Sequence, residues 1–311
     1  MKIQKPLFIM LCGLPGSGKS TLAQKLANQY NAQICSSDEL RKELLGDIQD
    51  QKHNELIFSI LHTQIKDGLK EGKNIIFDAT NLSRKKRTFF LNYINNIPCE
   101  KICYLVATPY EICLERNEAR ERQVPKNVIT KMLKSFEIPY YYEGWDKIEI
   151  YFGENDAFKG YYGKAYPNFI QKYSDFSQDN SHHELSLGRH CQVCALSLHS
   201  EGDIDVFCAA YVHDCGKPET KTFTNAKGDV TEEAHYYNHQ FVSAYKSLFF
   251  DWGCVDTFTL LHIAIIVMWH MQPYFWEKDN NEKLRVKYKK LWGEILYKEI
   301  MQVHEADKNA H

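Results

Sequence analysis

Short apolar runs alternate with longer amphipathic stretches through the first half of the chain. Leu7–Cys12, Asn74–Asp78, Lys101–Ala107 and Lys147–Phe152 are rich in Ile, Val, Phe and Tyr and read as strands, and a further strand precedes the cluster that starts at Ser36. Between them Lys19–Tyr30, Glu55–Glu71, Arg84–Asn95, Tyr110–Arg120 and Val128–Phe136 read as helices. In Glu55–Glu71 the residues Leu56, Ile60, Leu61, Ile65 and Leu69 follow a 3.6-residue period, which predicts one face packed on a sheet. Strands alternating with helices predict a parallel sheet with right-handed crossovers.

The pattern changes at Gly153–Ser181, where Gly, Tyr, Asn, Asp and Ser dominate without a clear period and Tyr166–Pro167 reads as a turn. Beyond it Ser186–Ser200, Asp203–His213, His235–Trp252 and Phe258–Met271 read as helices, and Asn281–Ala306 as one or two more. Strand signals are few, so the second half is expected to be all-helical. The predicted fold class is therefore α/β followed by all-α, divided into residues 1–155 and 156–311.

At 311 residues, with 44% hydrophobic and 25% charged residues, the composition excludes disordered, collagen-like and coiled-coil chains. The longest uninterrupted apolar stretch, Ile263–Trp269, is far shorter than the roughly 18 residues of a membrane span. No membrane partner is expected. Net charge is −2, but it splits as +4 over residues 1–150 and −6 over 151–311, which suits a phosphate-bearing ligand in the first half and a metal in the second. Ten cysteines, mostly inside apolar segments, fit reduced, buried thiols and a cytoplasmic location. The lone C-x-x-C, Cys191 and Cys194, lacks the second pair of a zinc ribbon and reads as two helix cysteines.

The run Gly13, Leu14, Pro15, Gly16, Ser17, Gly18, Lys19, Ser20, Thr21 matches the phosphate-binding loop and lies between a predicted strand and a predicted helix, the context that motif requires. Its glycines let backbone N–H groups converge on phosphate oxygens, Lys19 neutralises the β/γ charge, and the Ser20 hydroxyl ligates Mg²⁺. ATP or GTP binding follows; the acceptor does not. At the end of the second strand Asp38 is a candidate base for an attacking hydroxyl, and Arg41, three residues on, a candidate ligand for an acceptor anion. The same spacing fits an N-cap aspartate followed by a surface arginine. Asp78 ends the strand Ile75–Phe77 and is a second carboxylate for the Mg²⁺ and phosphates, or a turn and cap. Arg116 and Arg120, four apart, would share a helix face as a lid over ATP, with Arg122 close behind; interspersed Glu115, Glu118 and Glu121 also fit a solvated helix. The Arg84–Arg87 run reads as a charged helix start rather than a polyanion contact.

With GLPGSGKST at 13–21, SSDELR at 36–41, IIFDATNLSRKKR at 75–87 and ERNEARERQVP at 115–125, the first 140 residues resemble the kinase domain of phage-type polynucleotide kinase-phosphatase. That resemblance implies a P-loop kinase using ATP and Mg²⁺ on the 5′-hydroxyl of RNA or DNA. It also implies Asp38 as general base, Arg41 as ligand of the acceptor's 3′-phosphate, and Arg116 and Arg120 as lid residues.

The second half carries His190, then His213–Asp214, His239, His270 and Asp307, a mixed N/O donor set suited to Mn, Fe, Co, Ni, Zn or Mg. In LGRHCQVCA, AAYVHDCGKPE, YNHQFVSA, WHMQP and HEADKNA this ordered set resembles the HD phosphohydrolase superfamily. The resemblance implies that His190, His213, Asp214 and Asp307 bind a first divalent transition metal. His239 and His270 would hold a second or contact phosphate, Asp214 would act on the nucleophilic water, and Lys217 would bind substrate phosphate. His262 reads as core, His304 as a neighbour of Asp307, and His182 and His183 as candidates to line the cleft. His235 and His239 are four apart, but Tyr236 replaces the Glu a zincin helix needs.

Together the two sets lead to the expectation of a bifunctional end-healing enzyme. It would phosphorylate 5′-hydroxyl ends and remove 3′-phosphate or 2′,3′-cyclic phosphate, and an RNA ligase is a candidate partner. A small-molecule kinase joined to a nucleotide phosphohydrolase, or an ATP-gated hydrolase, would use the same catalytic parts.

Overall fold

The computed structural model describes residues 5–310 apart from 48–49, 51, 165–167, 182–183, 199–203 and 254. The expected turn at Tyr166–Pro167, the pair His182 and His183, and the facing ends of the predicted Ser186–Ser200 and Asp203–His213 helices lie outside the described residues. The chain forms two compact units, Met1–Met132 with Pro139–Ala157, and Leu133–Ile138 with Phe158–His311.

The first unit is a five-stranded sheet of β1 (Leu7–Cys12), β2 (Ala32–Ser36), β3 (Asn74–Asp78), β4 (Glu100–Val106) and β5 (Lys147–Tyr151), in the order β2-β3-β1-β4-β5. Every neighbouring pair is parallel. The central strand β1 is buried on both faces, which is why it reads as an unbroken apolar run and not as an alternation. Its helices are α1 (Lys19–Tyr30), α2 (Ser37–Leu45), α3 (Asn54–Lys70), α4 (Arg84–Tyr93), α5 (Tyr110–Glu118) and α6 (Lys126–Leu133). Leu22, Ala23 and Leu26 of α1 pack on Ile9, Leu11 and Ile76, which fixes the phosphate loop to the end of β1. On α3 the buried stripe is Ile57, Leu61, Ile65, Gly68 and Leu69, whereas Leu56 is 50% exposed. The expected stripe was offset because Gly68 belongs to it: a Cβ there would lie 2.8 Å from Ile75, so the helix approaches β3 along the glycine.

The basic start of α4 is not uniformly a solvated helix end. Arg87 is fully buried and forked onto Glu143, with Nε and Nη2 donating to its two carboxylate oxygens at 2.8 and 2.6 Å. Nη1 donates to the carbonyls of Asn81 and Leu82 at 2.9 Å each, which holds the turn after β3 in place. Neutralising one partner of such a pair strands the other charge in low dielectric. Glu143→Gln should therefore destabilise the first unit by about 3–5 kcal/mol, whereas an apolar replacement of both residues should cost far less. Thermal and denaturant unfolding of the full chain checks both.

The second unit comprises α7 (Asn168–Tyr173), α8 (Leu187–Ser197), α9 (Ile204–Val212), α10 (Lys217–Thr220), β6 (Thr222–Thr224), β7 (Val230–His235), α11 (His239–Ser247), α12 (Thr257–Trp269), α13 (Gln272–Lys278) and α14 (Glu282–Asn309). Among the described residues it is helical apart from the antiparallel hairpin β6–β7 and an isolated bridge between Lys164 and Asp251, which qualifies the all-helical expectation. The hairpin turn is closed by Asn225, whose Oδ1 accepts from the N–H groups of Lys227 and Asp229 at 2.9 Å, with Gly228 at φ 96°. His235 accordingly ends a strand instead of opening a helix, and His239 starts α11. Helix α14 is interrupted at Gly293 (φ 78°, ψ 173°), so the predicted one or two helices are two segments. Thr257–Lys278 has the length and apolarity of a membrane span, but 67% of its most apolar 18-residue window is buried inside the fold as a core segment. Cys191 and Cys194 are free and buried on α8.

Candidate active sites

The phosphate loop joins β1 to α1. Gly16 and Gly18 hold φ of 83° and 94°, and a Cβ on Gly16 would fall 2.3 Å from the Cys113 carbonyl oxygen, so any side chain there would push the loop off α5. Gly13 is equally confined, its hypothetical Cβ 2.8 Å from Ser17 Oγ and 2.9 Å from the Val106 carbonyl. Helix α1 begins with no capping side chain and no acidic residue in its first turn, which leaves its N-terminal N–H groups for an anion. The buried Ser17 hydroxyl has no partner among the described residues, and Thr21 is exposed on the first turn.

Lys19 Nζ donates to the Leu14 carbonyl at 2.7 Å; burial lowers its pKa, against the opposing pull of Asp78. Ser20 Oγ donates to Asp78 Oδ2 at 2.8 Å. Burial raises the Asp78 carboxyl, opposed by Lys19 and by the Ser20 hydrogen bond. The hydroxyl and carboxylate expected to meet a Mg²⁺ thus touch each other across 58 residues of sequence. Arg120 contributes a positive charge felt at both Lys19 and Asp78. Arg116 brings Nη1 within 3.7 Å of the place a Cβ on Gly18 would occupy. The two arginines do not share a helix face, because α5 ends at Glu118 and Arg120 lies in the turn after it.

Ser36, not Asp38, caps α2, its Oγ accepting from the Glu39 N–H at 3.4 Å. Asp38 stands in the first turn, two residues beyond the Ser36↔Asp78 register of β2 and β3, and its charge acts on Asp78. Arg41 is not a surface residue: it is buried, donates from Nη1 to Asp38 Oδ1 and from Nη2 to Asn54 Oδ1, each at 2.8 Å, and leaves Nε without a partner among the described residues. Arg122 pairs with the other oxygen, Asp38 Oδ2, at 2.9 Å. That contact had no signal in the sequence beyond the basic character of the segment.

In the second unit the six selected side chains converge. His190, His213, Asp214 and Asp307 form one buried group whose donor atoms lie within 4.8 Å of one another, and Asp214, His239 and His270 form another. Asp214 belongs to both. Its Oδ1 faces His239 Nε2 at 3.0 Å and His270 Nε2 at 3.7 Å, and its Oδ2 faces His190 at 3.6 Å and His213 at 3.4 Å. Asp307 Oδ1 lies 2.9 Å from His190 Nε2 and 3.3 Å from His213 Nε2.

All four imidazoles turn the same way. Each Nδ1 is 2.7 Å from a backbone carbonyl, of Ala310 for His190, Ala210 for His213, Tyr236 for His239 and Val267 for His270. An N–H donating there leaves the Nε2 lone pair pointing inward, the orientation metal-binding histidines require. The Nε2 atoms of His190 and His213, and those of His239 and His270, then meet at 3.3 Å with lone pair toward lone pair. Only a proton or a cation between them relieves that contact, and the buried Asp214 Oδ1, with no hydrogen-bond partner among the described residues, faces the second pair. This donor set fits divalent metal: His190, His213, Asp214 and Asp307 would hold one ion, and Asp214, His239 and His270 could hold another. Burial pushes His270 down to about 4. Burial would raise Asp214, but the Lys217 ammonium holds its carboxyl well below the usual carboxylate range.

Lys217 Nζ reaches Asp214 Oδ2 and Gln178 Oε1, each at 2.6 Å. Tyr274 donates to Asp307 Oδ2 at 3.0 Å. Neither Gln178 nor Tyr274 carried a sequence signal, since both reach the cluster only through packing of distant segments. His262 is buried against Glu299 at 2.8 Å, and His304 is buried against Glu277 at 2.8 Å, beside Tyr274 rather than in the cluster.

Residues 8–139 match the AAA_33 family model, described as an AAA domain. The chain is 27% identical over 148 residues to an L-seryl-tRNA(Sec) kinase of Methanococcus maripaludis, covering 46% of this chain and 58% of that protein. It is 26% identical over 163 residues to transcription factor bHLH140 of Arabidopsis thaliana, covering 49% of this chain and 17% of that one. It therefore spans less than two thirds of either curated relative. A chain in a structure of the Pnkp1/Rnl/Hen1 RNA repair complex is 24% identical, with TM-score 0.38, over 42% of this chain and 43% of that one. The first unit is a P-loop kinase-like fold, followed by a helical region.

Proposed function

We propose that the protein is a bifunctional nucleic-acid end-healing enzyme. The first unit transfers the γ-phosphate of ATP to a 5′-hydroxyl, and the second hydrolyses 3′-phosphate or 2′,3′-cyclic phosphate ends. The observation that carries the reading is that one chain holds a phosphate loop with a carboxylate beside two guanidinium groups, and also a separate buried cluster of four histidines and two aspartates. Breaks that leave a 5′-hydroxyl on one side and a phosphate on the other need both chemistries.

In the kinase step Gly13, Gly16, Ser17, Gly18, Lys19 and Thr21 cradle the triphosphate, and Ser20 and Asp78 would hold its Mg²⁺. Asp38 takes the acceptor's proton, Arg41 orients the acceptor, and Arg116 and Arg120 neutralise the transferring group. In the second unit His190, His213, Asp214 and Asp307 would hold one divalent ion, and Asp214, His239 and His270 another. Such ions supply Lewis acidity and make water nucleophilic near neutral pH. Lys217 keeps Asp214 ionised and offers a cation to the phosphate. RNA ends healed in this way are substrates for a ligase, the partner class this chemistry calls for.

The test uses one RNA oligonucleotide bearing a 5′-hydroxyl and a 2′,3′-cyclic phosphate, incubated with ATP and a divalent-metal panel. Wild type is expected to yield 5′-phosphate and 3′-hydroxyl ends, Lys19→Ala to lose only the first change, and Asp214→Ala only the second. Absence of both reactions in the wild type, or loss of both in either variant, overturns the reading. A second reading, a kinase for another hydroxyl acceptor, is favoured by the identity to a seryl-tRNA kinase. Transfer to seryl-tRNA, nucleosides or sugars but not to the 5′-hydroxyl oligonucleotide would establish it.

A further inference from the structure

Both oxygens of Asp38 face guanidinium groups, which crowds the approach of an acceptor hydroxyl even though each oxygen keeps a second lone pair. Oδ1 accepts from Arg41 Nη1 at 2.8 Å, and Oδ2 lies 2.9 Å from Arg122 Nη1. The two partners are not equivalent. The Arg41 side chain is 4% exposed, stands on the same helix as Asp38 and is held a second time by Asn54. Moving it would strand a buried charge. The Arg122 side chain is 27% exposed and rides on the segment between α5 and α6, beside a carboxylate that is itself 52% exposed. That segment is closed at its base. The buried Asn117 donates from Nδ2 to the Val124 carbonyl and accepts the Val124 N–H, each at 2.9 Å, and Gln123 donates to the Glu118 carbonyl at 2.7 Å. The backbone around Arg122 is therefore tied down while its long side chain can swing.

We infer that Arg122 is a latch on Asp38 that a phosphate on the acceptor releases. Without acceptor the guanidinium occupies Oδ2. An acceptor carrying a phosphate near its reacting hydroxyl draws the guanidinium onto that phosphate, which it can grip with two parallel hydrogen bonds, and Oδ2 is freed. The acceptor O–H bond then breaks with its proton passing to Oδ2 and the O–Pγ bond forms. The bond from Pγ to the β-phosphate oxygen breaks, and its electron pair leaves on ADP. Nothing is oxidised or reduced. This inference rests on the kinase reading and adds to it a specificity-determining residue, one that makes Arg122 both a brake on phosphate-free hydroxyls and a ligand for phosphorylated ones.

The experiment compares a nucleoside 3′-monophosphate with the corresponding nucleoside as acceptors, using wild type, Arg122→Ala and Arg122→Lys. Losing one charge-assisted contact lowers kcat/KM for the phosphorylated acceptor by roughly 10- to 100-fold, mainly through KM. Losing a half-exposed ion pair raises kcat/KM for the free nucleoside by up to about fivefold. The two responses have opposite sign, which a merely structural role for Arg122 would not produce. Arg122→Lys keeps the charge without the fork and should fall between the two. If both acceptors fall together in Arg122→Ala, or their ratio stays as in wild type, the latch is overturned while the kinase reading stands. A wild type that phosphorylates neither acceptor, nor any 5′-hydroxyl oligonucleotide, overturns the kinase reading and the latch with it.

Discussion

On the proposed function, Asp214→Asn is expected to abolish hydrolysis by the second unit while phosphoryl transfer by the first unit continues. The carboxylate is shared: Oδ1 faces His239 and His270, Oδ2 faces His190 and His213. An amide of the same shape removes the negative charge from both groups and turns one acceptor into a donor aimed at an imidazole lone pair or at Lys217. Divalent ions held by these residues would bind more weakly, and the water activation they would supply would be lost with them. Bound metal per chain, measured by elemental analysis after loading and desalting, should fall together with activity. Asp307→Asn offers the contrast, since it touches the first group only and should leave the second able to bind. Because Asp214 also balances the buried Lys217, its loss exposes the second unit to the cost of an unpaired charge, and retained kinase turnover shows that the first unit is intact. Unchanged metal content in Asp214→Asn would refute a metal-holding role for Asp214.

Asp38→Asn should lower phosphoryl transfer by roughly 10²- to 10⁴-fold, the usual contribution of a positioned general base, with ATP affinity little changed. The amide oxygen can still accept from Arg41, so the local fold is preserved, but it cannot take a proton at neutral pH. On the proposed reading the nucleotide is held by Lys19, Ser20 and the loop backbone, none of which needs the Asp38 charge. Single-turnover transfer from labelled ATP and direct nucleotide-binding measurements separate the two effects. Transfer at the wild-type rate would remove Asp38 from the chemistry, and a parallel loss of ATP binding would place it in the donor site instead.

The residues of both proposed sites were largely legible in the chain. The phosphate loop is local: a strand, six residues of glycine-rich turn and a helix N-terminus form within one contiguous stretch, so glycine spacing is sufficient to read it. The order His190, His213–Asp214, His239, His270, Asp307 was readable as a pattern resembling a known superfamily, but the meeting of the six side chains was decided by packing. Leu56 marks the limit of periodicity. A leucine counted as core proved exposed, and a glycine not counted at all was the point of closest helix–strand approach.

What lay beyond reading shares one property, long sequence separation. Arg87 and Glu143 are 56 residues apart, and nothing near either one says whether it faces water or a partner. Arg122 meets Asp38 only after the sheet has brought the end of β2 to the segment following α5, and Tyr274 meets Asp307 only after α13 and the last helix have packed. Residue type and spacing by themselves determined which chemistries this chain can carry, since backbone conformation and ligand type are local properties. Tertiary packing alone decided which charges are buried and paired, because a charge's environment in a fold depends on groups that the chain does not place beside it.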